Sequence, residues 1–410
     1  MLRKIVSKNF EIPDSHTMDV ALKNGRYSSL KKVFQKEPQE LIDIIKESGL
    51  RGKGGGGAPT GNKWQIVSDW TGRKYVVVNA DESEPGTFKD RRILSLDPHL
   101  LIEGIIASCY AVGSNTSYIY VRGEYEEFSD VLESAIKEAY EKNFLGEGAK
   151  YKVDITVHRG AGAYICGEKS ALLESLEGNR GHPRLKPHSP EPEFYFTEPT
   201  LVNNVETIAS VPFILENGAD AYRAYGTEKS PGTLLFAISG NINTPGVYEA
   251  EFGVSMLEYI ERLGGGVKNG KKLKAVIPGG ASTPVLPAHL VKDAKLDYEN
   301  LRELGSALGT GGMIILDEDA SMVKALKNLL RFYHHESCGQ CTPCREGTSW
   351  SDKILDRFVA HEASMEDLEI LRSVSKTMNG KTVCVFAPAA SGVIDGFLKH
   401  FEAEFLECIV

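Results

Sequence analysis

The sequence predicts an α/β fold, followed by a small α+β unit and a helical bundle, and three observations carry that prediction. Strand-length apolar runs alternate with helix-length stretches through residues 75–178. Short strands and glycine turns take over after "KSPG" (229–232), and helical pattern continues nearly unbroken from Ser321. The expected boundaries are 1–230, 231–319 and 320–410.

Taken in order, "ELIDIIKESG" reads as a helix that ends at Gly49, ahead of a glycine loop. "YVVVNADE" (75–82) is a buried strand running into a loop, and "HLLIEGIIASCYAVG" (99–113) is a helix closed by Gly113. "SYIYVRGEY" (117–125) and "YKVDITVHR" (151–159) are strands, with a helix over 126–143 between them and another starting near Glu168. Strands joined this way are parallel, and such sheets bind ligands in the loops at their C-terminal ends. "TLLFAISG", "LKAVIPGG" and "GMIILDED" are the strands of the middle unit, around the helix in "SMLEYIERLGGG". The last part reads as helices "MVKALKNLLRFYHH", "WSDKILDRFVA" and "MEDLEILRSVSKTM", with a crowd of cysteines in a loop between the first two.

Composition narrows the function classes. With 410 residues, 41% hydrophobic and 25% charged, the chain has the profile of a globular protein of two or three domains. A net charge of -9 argues against nucleic-acid binding. No apolar run reaches the roughly 18 residues of a membrane span, and "MLRKIVSKNFEIPDS" lacks the apolar stretch of a secretion signal, so a cytoplasmic location is expected. Seven cysteines, three of them crowded, point to metal or redox chemistry in place of a disulfide framework.

Three stretches carry the chemistry. In "HHESCGQCTPCREG", Cys338, Cys341 and Cys344 offer three thiols within seven residues, and position 348 is Thr, so a fourth ligand must be remote. Zinc and a cubane iron–sulfur cluster both accept four thiolates; three close cysteines plus one distant are more typical of the cluster. In "LRGKGGGGAPTGNKW" (50–64) the glycines expose backbone N–H groups to an anion such as phosphate, with Lys53 and Lys63 as charges, although a surface loop has the same composition. Asn79, Asp81, Glu82 and Glu84 gather at a strand end, either as a solvated turn or as a grip on the polar edge of a flavin. "RGAGAYICGEKSALLESLEG" (159–178) opens a helix whose N-terminus suits a phosphate or carbonyl.

These stretches, with "LVNNVET" (201–207), resemble the flavin-carrying, NADH-oxidising subunit of respiratory complex I and the related diaphorase subunits of hydrogenases and formate dehydrogenases. The likeness covers roughly residues 20–402. It implies a Rossmann-like FMN-binding domain, a ubiquitin-like β-grasp domain and a four-helix domain carrying a [4Fe-4S] cluster. It implies FMN held by Gly52, Gly54, Lys63, Asn79, Asp81, Glu82, Tyr164, Gly167, Glu168, Asn203 and Asn204, and a nicotinamide side faced by Glu84. Cys384, in "GKTVCVFAPAAS", is the implied fourth cluster ligand. The implied reaction is NADH or NADPH oxidation by hydride transfer to FMN. Electrons then go singly to the cluster and leave to a thioredoxin-like [2Fe-2S] subunit and a further iron–sulfur subunit, at most peripheral to a membrane complex and on its cytoplasmic face.

The sequence also departs from that family. Its glycine loop usually reads G-R-G-G-A-G-F-P-T-G, and this one has Lys53, Gly56 and Ala58. Ala58, Ile66 and Ser189 align where adenine-stacking rings are common, with His188 as a substitute ring. Lys169 stands where a second glutamate near the adenosine ribose is usual; with Lys186 it predicts that NADPH is accepted as well as or better than NADH. The competing readings are a relay module that keeps FMN and cluster without nicotinamide oxidation, and a zinc-bearing scaffold.

Overall fold

The computed structural model describes residues 4–185 and 191–410; Lys186, His188 and Ser189 lie outside the described residues. The first sheet contains β1 (Tyr75–Ala80), β2 (Thr116–Val121), β3 (Asp154–Arg159), β4 (Glu193–Tyr195) and β5 (Glu198–Asn204), in the order β3-β2-β1-β5-β4. Strands β3, β2, β1 and β5 are parallel, and β4 is an antiparallel edge on β5. The chain thus steps outward from β1 to β3 and then returns to the other side of β1. That reversal opens a crevice beyond the C-terminal ends of β1 and β5.

Strand β1 is apolar along most of its length because both faces are covered. Val76, Val78 and Ala80 share a core with α4 (Pro98–Val112) and α7 (Val205–Asn217), whereas Val77 joins Leu172 and Leu173 of α6 (Lys169–Leu176) and the C-terminal helices. Helix α4 is apolar all round and nearly all buried, as a core helix between layers must be. Gly104 lets it approach α7, since a Cβ there would lie 2.3 Å from the Ile208 carbonyl oxygen. Gly113 closes α4 in the left-handed region at φ 77°, as expected. The longer of the other helices around the sheet are α1 (Pro38–Glu47), α2 (Thr60–Ser68), α3 (Asp90–Leu96) and α5 (Glu126–Glu141). Among the described residues no single helix is long and apolar enough to cross a membrane; the pair α3 and α4 has the composition but bends by 103°.

The second sheet runs β7-β6-β10-β8-β9, from β6 (Thr233–Gly240), β7 (Gly246–Glu251), β8 (Leu273–Ile277), β9 (Leu286–Pro287) and β10 (Gly312–Asp317). Only β6 and β10 pair in parallel. Helix α8 (Met256–Arg262) packs on this sheet, and α9 (Tyr298–Glu303) reaches back towards the first one. Four helices finish the chain: α10 (Met322–Glu336), α11 (Thr342–Val359), α12 (Met365–Met378) and α13 (Phe386–Leu406). Ser321 caps α10, and Ser364 with Asp367 forms a capping box on α12. One expectation fails here. Cys341 is the N-cap of α11 and Cys344 lies in its first turn, so only Cys338 is a loop residue proper. Pro343 at the second helical position pre-sets that turn.

Candidate functional site

A cavity of about 560 Å³ fills the crevice between β1 and β5, within the range of cofactor sites. All three parts of the chain line it: Gly54, Asn79 and Asn204 from the first, Thr310 from the second, Cys384 and Phe386 from the third. Asn79 and Asn204 are register partners at the ends of β1 and β5, which explains why motifs 125 positions apart meet.

The glycine loop forms one wall. Its neck is tied by Gly52 N donating to Ala58 O at 2.8 Å and Thr60 N donating to Leu50 O at 2.9 Å. A Cβ on Gly54 would lie 3.0 Å from Asn204 Cβ, whereas one on Gly56 meets nothing within 4 Å. Gly56 is therefore not demanded by protein packing, although Gly54 is. Lys53 departs from its expected role as a free counter-charge. Its ammonium is 1% exposed, 3.3 Å from Glu206 Oε1 and 2.7 Å from Ser210 Oγ. Lys89 Nζ joins it, 2.7 Å from Glu206 Oε2 and 2.8 Å from Asp90 Oδ1. Two cations and two carboxylates thus form a buried, neutral quartet in the floor of the cavity. Burial pulls Lys53 below the ordinary lysine range, whereas Asp90 and Glu206 hold Lys89 above it. Lys63 lies further along α2 and donates to Val202 O at 2.6 Å and Asn203 Oδ1 at 3.0 Å. Burial, and then the charge of Lys169, bring it down to about 8.

The acidic loop after β1 divides its carboxylates. Glu82 turns its carboxylate away to the start of α3, accepting from the backbone of Asp90 and Arg91, from Arg91 Nε at 3.0 Å and from Tyr125 Oη at 2.9 Å. Its backbone sits at φ 33°, a strained position for a side-chain-bearing residue; this grip on its carboxylate offsets that strain. Asp81, Glu82 and Glu84 all line the cavity, but of the three only the Glu82 carboxylate is taken up by the start of α3. Glu84 accepts from Tyr164 Oη at 2.6 Å and from Ser282 N at 2.7 Å. Burial raises its carboxyl above the usual range, while both hydrogen bonds work the other way.

Asp81 is 1% exposed, and burial pushes its carboxyl up to about 7 despite the hydrogen bond from Ser83. Because the folded value exceeds the unfolded one, ionisation opposes folding. The penalty is absent below about pH 4, grows as pH rises, and is complete above about pH 7. Asp81→Asn is expected to stabilise the ligand-free protein above pH 7, by at most about 4 kcal/mol, since every tenfold change in proton affinity on folding is worth about 1.36 kcal/mol. Melting curves of both proteins across pH 4–8 check this: they should converge at the acid end, and a gap independent of pH would contradict it.

In the third stretch Gly167 O accepts from Asn79 Nδ2 at 2.9 Å, and a Cβ on Gly167 would lie 3.3 Å from Asp81 Oδ2. Glu168 is the N-cap of α6, accepting from Ser170 N at 2.9 Å and Ala171 N at 3.1 Å. Lys169 points elsewhere: it pairs with Glu193 on β4, at 39% side-chain exposure. The Tyr164 ring packs edge-on against Phe332, 5.0 Å between centroids, and near Phe386. Cys166 is a buried thiol beside Gly181, as a packed cysteine would be.

The thiols of the four expected cluster cysteines are close enough for their charges to act on one another. Burial, and then the charges of Cys384, Cys338 and Cys341, push the Cys344 thiol up to about 11 against the hydrogen bond from Ser337. Val383 N donates to Cys341 Sγ at 3.4 Å, tying the α12–α13 loop to the triplet. Such thiols ionise together only around a cation.

Comparison with known proteins matches residues 45–213 to the Nuo51 FMN-binding domain, 234–315 to the SLBB domain and 324–408 to the NADH-ubiquinone oxidoreductase-F iron-sulfur binding region. The second F-type subunit of NADH-quinone oxidoreductase from Rhizobium meliloti (strain 1021) is 45% identical over 99% of this chain and 97% of its own length. The chain belongs to the F-type subunit family of NADH-quinone oxidoreductase. The F-type subunit of Rhodobacter capsulatus is 47% identical over 94% of this chain and 90% of its own. The crystal structure of an NAD+-reducing [NiFe]-hydrogenase in the H2-reduced state superposes with a TM-score of 0.84 at 34% identity, over 92% of this chain; this chain spans 65% of that one.

The groups of this family fit what the chain presents. For FMN there is a cradle from which Cβ atoms are missing at Gly54 and Gly167, and the buried Asn203 Nδ2 at the end of β5 has no hydrogen-bond partner within the protein. For the cluster there are four thiols, of Cys338, Cys341, Cys344 and Cys384, whose charges act on one another, the number and kind of ligand a cubane takes. The iron–sulfur match decides against the zinc scaffold. Sequence reading missed the wall supplied by the SLBB part, Ser282, Thr283 and Thr310, and the floor pair Lys89 and Asp90. The visible signal was glycine at strand ends, in "PGGAST" and "LGTGG".

Proposed function

We propose that this chain oxidises NADH in the cavity at the β1–β5 crevice, with FMN as the hydride acceptor, and delivers electrons to a [4Fe-4S] cluster held by Cys338, Cys341, Cys344 and Cys384. The observation that carries this is the shared wall: Cys384 and Phe386 line the cavity that Asn79, Asp81 and Glu84 also line. When bound, the flavin supplies the exchange between a hydride's electron pair and single electrons. Gly52, Gly54 and Lys63 serve its phosphate end, and Asn203 and Asn204 its chain. Asn79, Asp81, Tyr164, Gly167 and Glu168 serve the ring end, with Glu82 contributing backbone only. Glu84, which accepts from Tyr164 and Ser282, serves the nicotinamide side. The functional units are assigned as 1–230, 231–319 and 320–410. The relay reading, without nicotinamide oxidation, draws no support from these observations. Anaerobic NADH should bleach the flavin bands of the purified yellow-brown protein and then reduce its cluster; unchanged bands at excess NADH would refute the reading.

Membership of this family implies partner redox subunits. We assign a thioredoxin-like [2Fe-2S] subunit and a further iron–sulfur subunit as those partners, on the cytoplasmic face of a membrane complex. Lys169 bears on the donor. A lysine beside the adenosine ribose attracts a 2'-phosphate through a charge-assisted contact of about 1.5–3 kcal/mol, but Glu193 already pairs with it. NADPH acceptance is therefore expected to be moderate. Lys169→Glu should lower kcat/KM for NADPH about tenfold with little effect on NADH, and Glu193→Gln should raise it. Strong NADH preference that neither substitution moves would contradict the role.

A further inference from the structure

The glycine loop is held both by its own Arg51 and by residues from outside its domain. Arg51 Nε donates to Gly57 O at 2.8 Å, and Tyr298 Oη donates to Gly52 O at 3.1 Å, so the carbonyls at both ends of the arch are held. The Arg51 guanidinium lies 3.9 Å from the centroid of the Tyr298 ring. Its Nη1 is 2.6 Å from Glu299 Oε1, and Glu299 Oε2 accepts from Ser230 Oγ at 2.6 Å. Gly57 takes φ +61°, and a Cβ there would lie 2.6 Å from the Tyr298 ring. The ring therefore occupies the space a side chain on the loop would need. Between the two held carbonyls, Lys53, Gly54, Gly55 and Gly56 line the cavity.

We propose that Tyr298 of α9, directly and through Arg51, and Glu299, through Arg51, are positioning residues that keep the arch 52–57 in its ligand-receiving shape. The SLBB part of the chain thereby preorganises the cofactor site of the first domain. This rests on the reading that the arch receives the FMN phosphate. A glycine-rich arch loses much conformational freedom when it orders. Holding both of its ends in the ligand-free protein removes most of that loss from the binding step, which raises affinity without a new ligand contact. A cation over a ring and a carboxylate pair, both partly shielded from water, suit such a hold.

The test uses the full-length apoprotein. Arg51→Met keeps the stem and removes the Gly57, Glu299 and ring contacts together. Hydrogen exchange of amides 52–58 is expected to speed up at least tenfold, with exchange in α12 unchanged, and the dissociation constant for FMN, read by fluorescence quenching, to rise about tenfold. Glu299→Gln should give a smaller change of the same kind, and so should Tyr298→Phe, which keeps the ring but removes the donor to Gly52 O. Gly54→Val serves as control for the arch itself. Unchanged exchange in Arg51→Met overturns the clamp. Faster exchange with unaltered FMN affinity, while Gly54→Val blocks FMN, overturns its positioning role and leaves the site reading intact. If Gly54→Val also leaves FMN binding untouched, the arch is not the phosphate site and both fall.

Discussion

Cys384→Ser is expected to remove most of the iron–sulfur absorbance and iron content, while Cys408→Ser leaves both unchanged. Among the described residues, Cys384 is the cysteine outside the 338–344 triplet whose charge acts on the Cys344 thiol and which feels Cys338 and Cys341 in turn. Three thiolates and a serine hold a cubane poorly, because the hydroxyl is a hard and far less acidic ligand. Cys408 sits at the far end of α13 and donates to Glu404 O at 3.4 Å, away from the other thiols. The Cys384 substitution should also weaken flavin retention, since the same loop turns Val385 and Phe386 into the cavity wall. Full iron content in Cys384→Ser, or its loss in Cys408→Ser, would overturn the ligand assignment.

Glu206→Gln is expected to destabilise the apoprotein by about 3–5 kcal/mol, the usual consequence of stranding a buried charge. The carboxylate is 0% exposed and faces two ammonium groups, and its Oε1 also accepts from Leu235 N on β6 at 2.9 Å. The amide preserves that last bond and the shape, so the loss reports on charge. Lys53 is left without a carboxylate, while Lys89 keeps Asp90. Adding Lys53→Met to the variant removes the stranded cation and should recover part of the loss. Chemical denaturation of the three proteins reads both effects. A loss below about 1 kcal/mol, or no recovery in the double variant, would show that the quartet is not held by its charges.

Much of this architecture was legible because its signals are local. The apolar run of β1 ending in Asn79 and Asp81, the stop at Gly113 and the start of α6 at Glu168 are each set by neighbours in sequence. The spacing of the cysteine triplet also carried its own chemistry. What stayed hidden depends on pairing between distant segments. Lys53 and Lys63 look alike in sequence, yet Glu206 and Ser210 draw the first into the core. Glu82 and Glu84 are two residues apart and diverge because the start of α3 claims one carboxylate and Tyr164 the other. Nothing around Lys169 announces Glu193, which arrives on a three-residue edge strand. Strands β7 and β9 were missed for a related reason: β9 is two residues long and exists only through its pairing with β8.

The cavity draws its walls from positions as far apart as Lys53 and Ala389. During synthesis the chain emerges from its amino end, so the crevice between β1 and β5 forms long before α13 leaves the ribosome. Until then one side of the crevice stands open to water. A nascent chain stalled after β10 would carry the glycine arch and its clamp but no closing wall. Closure of the cavity is thus the last step in building it, because Cys384, Phe386 and Ala389 come from the final part of the chain to be made.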